Sequence, residues 1–230
     1  MSADTMTATA TPAAPLPAPE LADTPGARTR REARREERRQ IILDAATRSF
    51  MDQGYAGTTM TAIATTLGGS KGTLWSHFPS KDVLFAAVVD RATESFRAQL
   101  SQALNPEDEL NEALRLFCSR FLARLTSPEG LALYRLVIGE TGRTPEIGQI
   151  FHARGPQIIQ RLLANFLAAA MANGQLRTED SSDAAQLLMQ MCLSGSHHHL
   201  LMGRTDMVQP GAMDRDIDRA LTLFLRAYLP

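Results

Sequence analysis

Residues 58–81 read TTMTAIATTLGGSKGTLWSHFPSK, and this stretch decides the fold. Ile63, Leu67 and Leu74 are spaced to form the apolar seam between two short helices joined by a glycine turn. Thr59 is suited to cap the first helix, since its hydroxyl can accept from a free N–H of the first turn. Ala64 is small where the second helix must cross closely, and Gly68 supplies the positive φ of the turn. The second helix then runs from Ser70 to about His77. A pair of this kind, over about residues 59–78, is a helix-turn-helix, a unit suited to laying its second helix in the DNA major groove.

The chemistry of the outward residues fits that use. Lys71 can reach a phosphate or a guanine edge, Gly72 lets the backbone approach, and Thr73 can meet a thymine methyl or a base acceptor. Trp75 and His77 pair a donor with an apolar body that can lie on sugar. Thr59, Thr61, Ser70 and Ser76 complete the DNA-facing set, and Lys81 is read as a phosphate clamp. A solvated polar face over a plain core helix pair would show the same periodicity, so charge is the first discriminator. From Arg28 to Lys81, ten Lys/Arg stand against five Asp/Glu, a net +5. The whole chain carries −1, so the remainder carries −6. A basic module on an acidic body suits a polyanion at one end only.

Outward from the motif, the chain reads as helix throughout, and the fold class is all-α. Residues 1–27 are rich in Ala, Thr and Pro and read as a disordered tail. Residues 28–37 form a basic arm that leads into a helix striped by Ile41, Ile42, Ala45, Ala46 and Phe50 and closed by Gly54. The arm reads either as a solvated helix extension or as a segment that gains affinity from phosphates. Ser80 caps a helix bearing Leu84, Phe85, Val88, Val89 and Phe96. Pro106 is expected to open the next helix, Pro128 another, and Gly155-Pro156 to interrupt a later one. Ser181 or Ser182 caps a helix through Leu187, Leu188 and Met191, and a last helix carries Ile217, Leu221 and Phe224. Cys118 and Cys192 stand outside any CxxC pattern and read as buried helix packing in a reducing, cytoplasmic setting. No apolar run approaches the ~20 residues of a membrane span.

The chain resembles the TetR family of transcriptional regulators over about residues 38–98. The resemblance rests on IILDAATRSFMDQGYAGTTM, Ile63-Ala64, SKGTL, HFPSK and Leu84-Phe85. It implies a DNA-binding domain over 38–98 and a helical effector-binding and dimerisation domain over 99–230. It further implies a homodimer through the last two helices, at about 182–201 and 213–228, gripping a palindromic double-stranded operator. The implied role is a repressor released by a small effector, with no cofactor. Few charges fall among the stripes of residues 100–175, which favours an apolar or aromatic effector. The pocket residues expected there are Phe117, Phe121, Tyr134, Phe151, His152 and Phe166, all of types that also fill ordinary cores. The run ETGRTPEIGQIFHARGPQII resembles the AefR-like branch of the family. Two departures stand out: Gly69 replaces an apolar turn anchor, commonly Val, and Trp75 replaces a tyrosine. The first removes a core contact, worth roughly 1 kcal/mol.

Other chemistries find less support. His197-His198-His199 sit about 100° apart on a helix and cannot converge on one ion, so packing at the dimer interface is expected of them and no metal site is assigned. Gly68–Thr73 lacks the spacing and preceding strand of a phosphate loop, and no catalytic triad or carboxylate pair stands out, so an enzyme is disfavoured. The alternative kept open is a TetR-like DNA-binding protein without an effector, acting through protein partners.

Overall fold

The computed structural model describes residues 25–68 and 71–230. The tail before residue 25, Gly69, Ser70, and the side chains of residues 25–28 and of Lys71 lie outside the described residues. Residues up to Arg38 form one unit and Arg39–Pro230 the other. Every regular element among the described residues is a helix.

Helix α1 (Pro25–Gly57) carries the basic arm, whose side chains from Thr29 to Glu37 are exposed. Gly54 takes φ 74°, a left-handed conformation that lets the helix end. Thr58 Oγ1, fully buried, lies 2.9 Å from Ser49 O and 2.7 Å from Gly54 O, closing the last carbonyls of α1. Helices α2 (Met60–Thr66), α3 (Lys71–His77) and α4 (Lys81–Ala103) follow. Ser80 caps α4 as expected, accepting from Val83 N at 3.2 Å.

Helix α5 spans Leu110–Leu125, so Pro106 does not open it. Asn105 captures that segment first: its Oδ1 accepts from Glu107 N and its carbonyl from Asp108 N, a turn that competes with helix. Glu109 is the true cap. Helix α6 (Pro128–Thr141) starts on a Ser127 cap with proline in its first turn, as expected. Helices α7 (Pro145–Arg154) and α8 (Pro156–Ala172) are separated at Gly155, also as expected. Helix α9 (Ser181–Leu193) is capped by Asp180 rather than by a serine; its carboxylate accepts from the N–H groups of Ser182 and Asp183.

The helix expected to run from 182 to 201 is broken. After α9 the chain turns at Ser194-Gly195 and resumes as α10 (Ser196–Leu201), before α11 (Ala212–Tyr228). The cause is Asp216 on α11. Its buried carboxylate accepts from Ser196 N at 2.7 Å and Ser196 Oγ at 2.6 Å. A Cβ on Gly195 would lie 2.0 Å from its Oδ1, so only glycine fits beneath it.

Two cores result. The head core joins Ile42, Ala46, Phe50, Ile63, Leu74, Phe78 and Phe85, and takes in Leu133, Val137 and Ile147 from α6 and α7. The body core is built from the second half of α4 with α5, α8, α9 and α11, and holds both cysteines. Hydrogen bonding to Cys192, followed by burial, pushes the Cys118 thiol well up, so it is held neutral as a packing group. No helix among the described residues is long and apolar enough to cross a membrane.

Candidate nucleic-acid interface and ligand cavity

In the helix-turn-helix, Thr59 accepts from Ala62 N at 3.1 Å, and Ile63 and Ala64 are buried. Gly68 takes φ 61°, so the turn is left-handed where the sequence required it. On α3, Leu74 is buried and anchors the helix, while Gly72, Trp75 and Ser76 are exposed and Thr73 and His77 are half-buried. Thr59 and Thr61 are exposed at the start of α2. Trp75, at 38% exposure, keeps part of its indole against the protein. Ser76 Oγ donates to Thr73 O at 2.8 Å, which ties up its proton within the helix. Nothing is described of Ser70 or of the Lys71 side chain.

Lys81, expected as a phosphate clamp, is also engaged within the protein. Its ammonium points back into the turn between α1 and α2, donating to Tyr55 O at 2.9 Å and Thr58 O at 3.1 Å. It also sits 4.1 Å from the centroid of the Tyr55 ring. Two of its three N–H groups are thereby engaged, and the residue is first a brace for the head. Tyr55 in turn donates its hydroxyl to Asp82, and burial with that carboxylate pushes the phenol far above its ordinary range. Phe50, Tyr55 and Phe85 pack ring on ring, with centroids 5.3–5.6 Å apart.

The body contains a cavity of about 90 Å³ between α4, α5, α6, α7, α8 and α9. Of the six expected pocket residues, Phe121, Tyr134 and Phe151 line it. Phe117 does not: it is fully buried behind Phe121, with the rings stacked at 5.8 Å. His152 lies in an adjoining outer groove with Gln160, Gln186 and Gln190, which shares Tyr134, Phe151 and Gln190 with the cavity. Phe166 belongs to a separate cleft beside Pro106 and Leu110. The sequence reading missed Phe96, Met189 and the half-buried Arg124 as lining residues. Arg124 stands in the last turn of α5, where a basic residue ordinarily reads as a partner for the helix C-terminus, so its type carried no signal of a ligand.

The histidine triplet also divides differently from expectation. His197 is buried within its own subunit, edge-on to Tyr134 with ring centroids 5.3 Å apart, while His198 and His199 are exposed. Burial, then the neighbouring His198, lower the His197 pKa, and its Nε2 has no hydrogen-bond partner among the described residues. Among those residues no His/Cys/Asp/Glu group is placed to hold a metal ion.

Comparison with known proteins matches the chain in two stretches. The family "Bacterial regulatory proteins, tetR family" matches residues 42–88, and the AefR-like transcriptional repressor C-terminal domain matches residues 112–230. The Flavonoid-responsive Regulator FrrA is 32% identical, with a TM-score of 0.73, and the match covers 85% of this chain and 98% of FrrA. A TetR-family regulator from Mesorhizobium loti is 27% identical with a TM-score of 0.74, covering 86% and 99%. The transcriptional activator FasR of Mycolicibacterium smegmatis is 37% identical over 87 residues, 38% of this chain but only 40% of FasR. TtgR of Pseudomonas putida is 33% identical over 125 residues, 54% of this chain and 53% of TtgR. A reading head matched over α2 and α3 and a helical body matched to its last residue make this chain a DNA-binding transcriptional regulator of the TetR family.

Proposed function

We propose that the chain is a homodimeric repressor that leaves a near-palindromic operator when a small aromatic or otherwise apolar effector fills the cavity. The observation that carries this reading is the double membership of α6. Its Gly130, Leu133 and Tyr134 line the cavity, while Leu133 and Val137 belong to the head core. A ligand that displaces α6 must disturb the packing of the head. Similar proteins point the same way: FrrA is a flavonoid-responsive regulator, and SmeT, 27% identical with a TM-score of 0.60, was solved with triclosan. Repression is favoured over activation because the repressor-type match covers the whole body, whereas the match to FasR covers 87 residues.

DNA contact is assigned to Thr59, Thr61, Ser70, Lys71, Gly72, Thr73, Trp75, Ser76 and His77, with the basic arm adding phosphate contacts. Dimerisation is assigned to α9 and α11, where Leu187 and Leu223 are exposed at 42% and 49%. Genomic fragments selected by the protein, followed by a screen for compounds that release them, test the reading. A compound that releases a bound fragment and loses its effect when Ile159→Trp fills the cavity supports it. Release that survives this substitution refutes the cavity as the effector site.

A further inference from the structure

We propose that the cavity is built for a planar aromatic carboxylate, with Arg124 as the residue that selects the anion; this rests on the effector reading above and sharpens it. The lining is dominated by apolar and aromatic groups, among them Phe96, Phe121, Tyr134, Phe151 and Ile159. Into it the fold places a guanidinium without a counter-charge. No Asp or Glu lines the cavity, and among the described residues no carboxylate lies within ion-pair distance of Arg124.

What Arg124 does contact is neutral. Nη1 donates to Ser127 Oγ at 3.2 Å, and Nη2 donates to Ala92 O at 3.2 Å. Ala92 is on α4 and Ser127 caps α6, so these bonds pin the guanidinium where three lining helices meet. They orient the charge and leave it uncompensated. A guanidinium offers five N–H donors, and three remain for another acceptor. In a half-buried, weakly polar setting a cation of this kind gains most from an anion that can accept two parallel bonds, and a carboxylate matches that fork. The rest of the ligand is set by the walls. Phe96 and Phe121 lie nearly parallel with centroids 6.5 Å apart, and Tyr134 and Phe151 meet edge to face at 5.8 Å. Ring edges and faces in this arrangement favour a flat aromatic body. Gln190 lines both the cavity and the outer groove, so a polar substituent would find an amide there.

The test is calorimetric titration of the full-length protein with 2-naphthoate, its neutral isostere 2-naphthamide, and octanoate. Wild type should bind naphthoate at least about tenfold more tightly than the amide, the value of one charge-assisted pair, and more tightly than octanoate. Arg124→Gln should bring naphthoate down to the amide's affinity, and Arg124→Lys should recover part of the difference. The wild-type comparison needs no substitution, so loss of folding in a variant does not blunt it. Equal binding of acid and amide, an acid preference that persists in Arg124→Gln, or no binding of naphthoate overturns the anion assignment. Tighter binding of octanoate overturns the aromatic one. The effector reading is judged separately by Ile159→Trp: if naphthoate binding survives that substitution, the ligand sits elsewhere, whatever its charge preference.

Discussion

Replacing Lys81 by methionine separates its bracing bonds within the head from the phosphate contact expected of it. The methionine keeps most of the aliphatic stem and removes the ammonium, with its bonds at 2.9 Å to Tyr55 O and 3.1 Å to Thr58 O and its position over the Tyr55 ring. Tyr55 O keeps a second donor, Thr58 N at 3.2 Å, but Thr58 O belongs to a fully buried residue and loses its charged partner. Charge-assisted bonds are worth roughly 1.5–3 kcal/mol each, and a cation–π contact about 0.5–1 kcal/mol. Because Lys81 is half-exposed, solvent screening reduces that sum, and a loss of about 2–4 kcal/mol is expected. Urea unfolding of wild type and Lys81→Met measures it. Binding to a selected operator fragment from low to moderate salt, with both proteins folded, measures the other role. The brace reading expects the stability loss with an unchanged slope of log K against log salt. A slope shallower by about 0.9, the mark of one lost phosphate contact, together with stability changed by less than about 0.5 kcal/mol, would refute it.

Four further outcomes follow from the same contacts. Gly195→Ala forces its Cβ into the Asp216 carboxylate and disrupts the bonds to Ser196 and to Arg219 at 3.0 Å, so thermal unfolding should show a loss of about 2–4 kcal/mol; a loss under about 0.5 kcal/mol would mean the carboxylate moves aside freely. Leu187→Glu with Leu223→Glu should convert a dimer into a folded monomer by light scattering, and an unchanged mass would remove α9 and α11 from the interface. Burial depresses the His197 pKa below its ordinary 6.5, so the unfolded chain binds more protons; stability is fully present above about pH 6.5 and falls as pH drops below it, by at most about 1.4 kcal/mol per pH unit, and His197→Phe should flatten that dependence in urea titrations at pH 7.5 and 5.5. Glu140→Ala removes the acceptor of Ala56 N and should lower stability by about 1 kcal/mol while raising the effector concentration needed for operator release, which a fluorescence-anisotropy titration reports.

What the sequence made legible was local. Thr59, Ser80 and the Ser127-Pro128 start sit where their own side chains cap their own helices, so a few adjacent residues suffice to place them. Gly68 was legible for the same reason, its positive φ being a demand of the turn it occupies. The misreadings came from partners far along the chain or from competition within a turn. Pro106 looked like a helix start until Asn105 claimed the neighbouring N–H groups. The break between α9 and α10 is imposed by Asp216, some twenty residues onward, and no pattern within 182–201 records it. Phe117 and Phe121 share one face of α5 and are indistinguishable by periodicity, yet only the second reaches the cavity, because depth along that face is set by what α8 and α9 lay against it. The bracing bonds of Lys81 were not legible, because the two carbonyls it donates to lie in a turn more than twenty residues earlier.

Helix α6 is the route by which, on the proposed reading, the cavity in the body would act on the head. At 1.5 Å per residue, the ten steps from Gly130 to Glu140 span about 15 Å. The helix therefore carries cavity lining at one end and head contacts at the other. Gly130 is locked at the cavity end: a Cβ there would lie 2.2 Å from Arg124 O, so α6 abuts the same turn of α5 that presents the guanidinium. At the far end Glu140 Oε1 accepts from Ala56 N at 3.3 Å, against the closing turn of α1, where a Cβ on Gly54 would fall 2.6 Å away. That turn is the one Lys81 braces through Tyr55 O and Thr58 O, immediately before the Thr59 cap of α2. On the proposed reading, a ligand held by Arg124 would press on a helix whose start abuts α5 and whose end contacts the closing turn of α1. Close-packed interiors deform little, so a shift of α6 has to appear as a change in how that hinge sets α2 and α3.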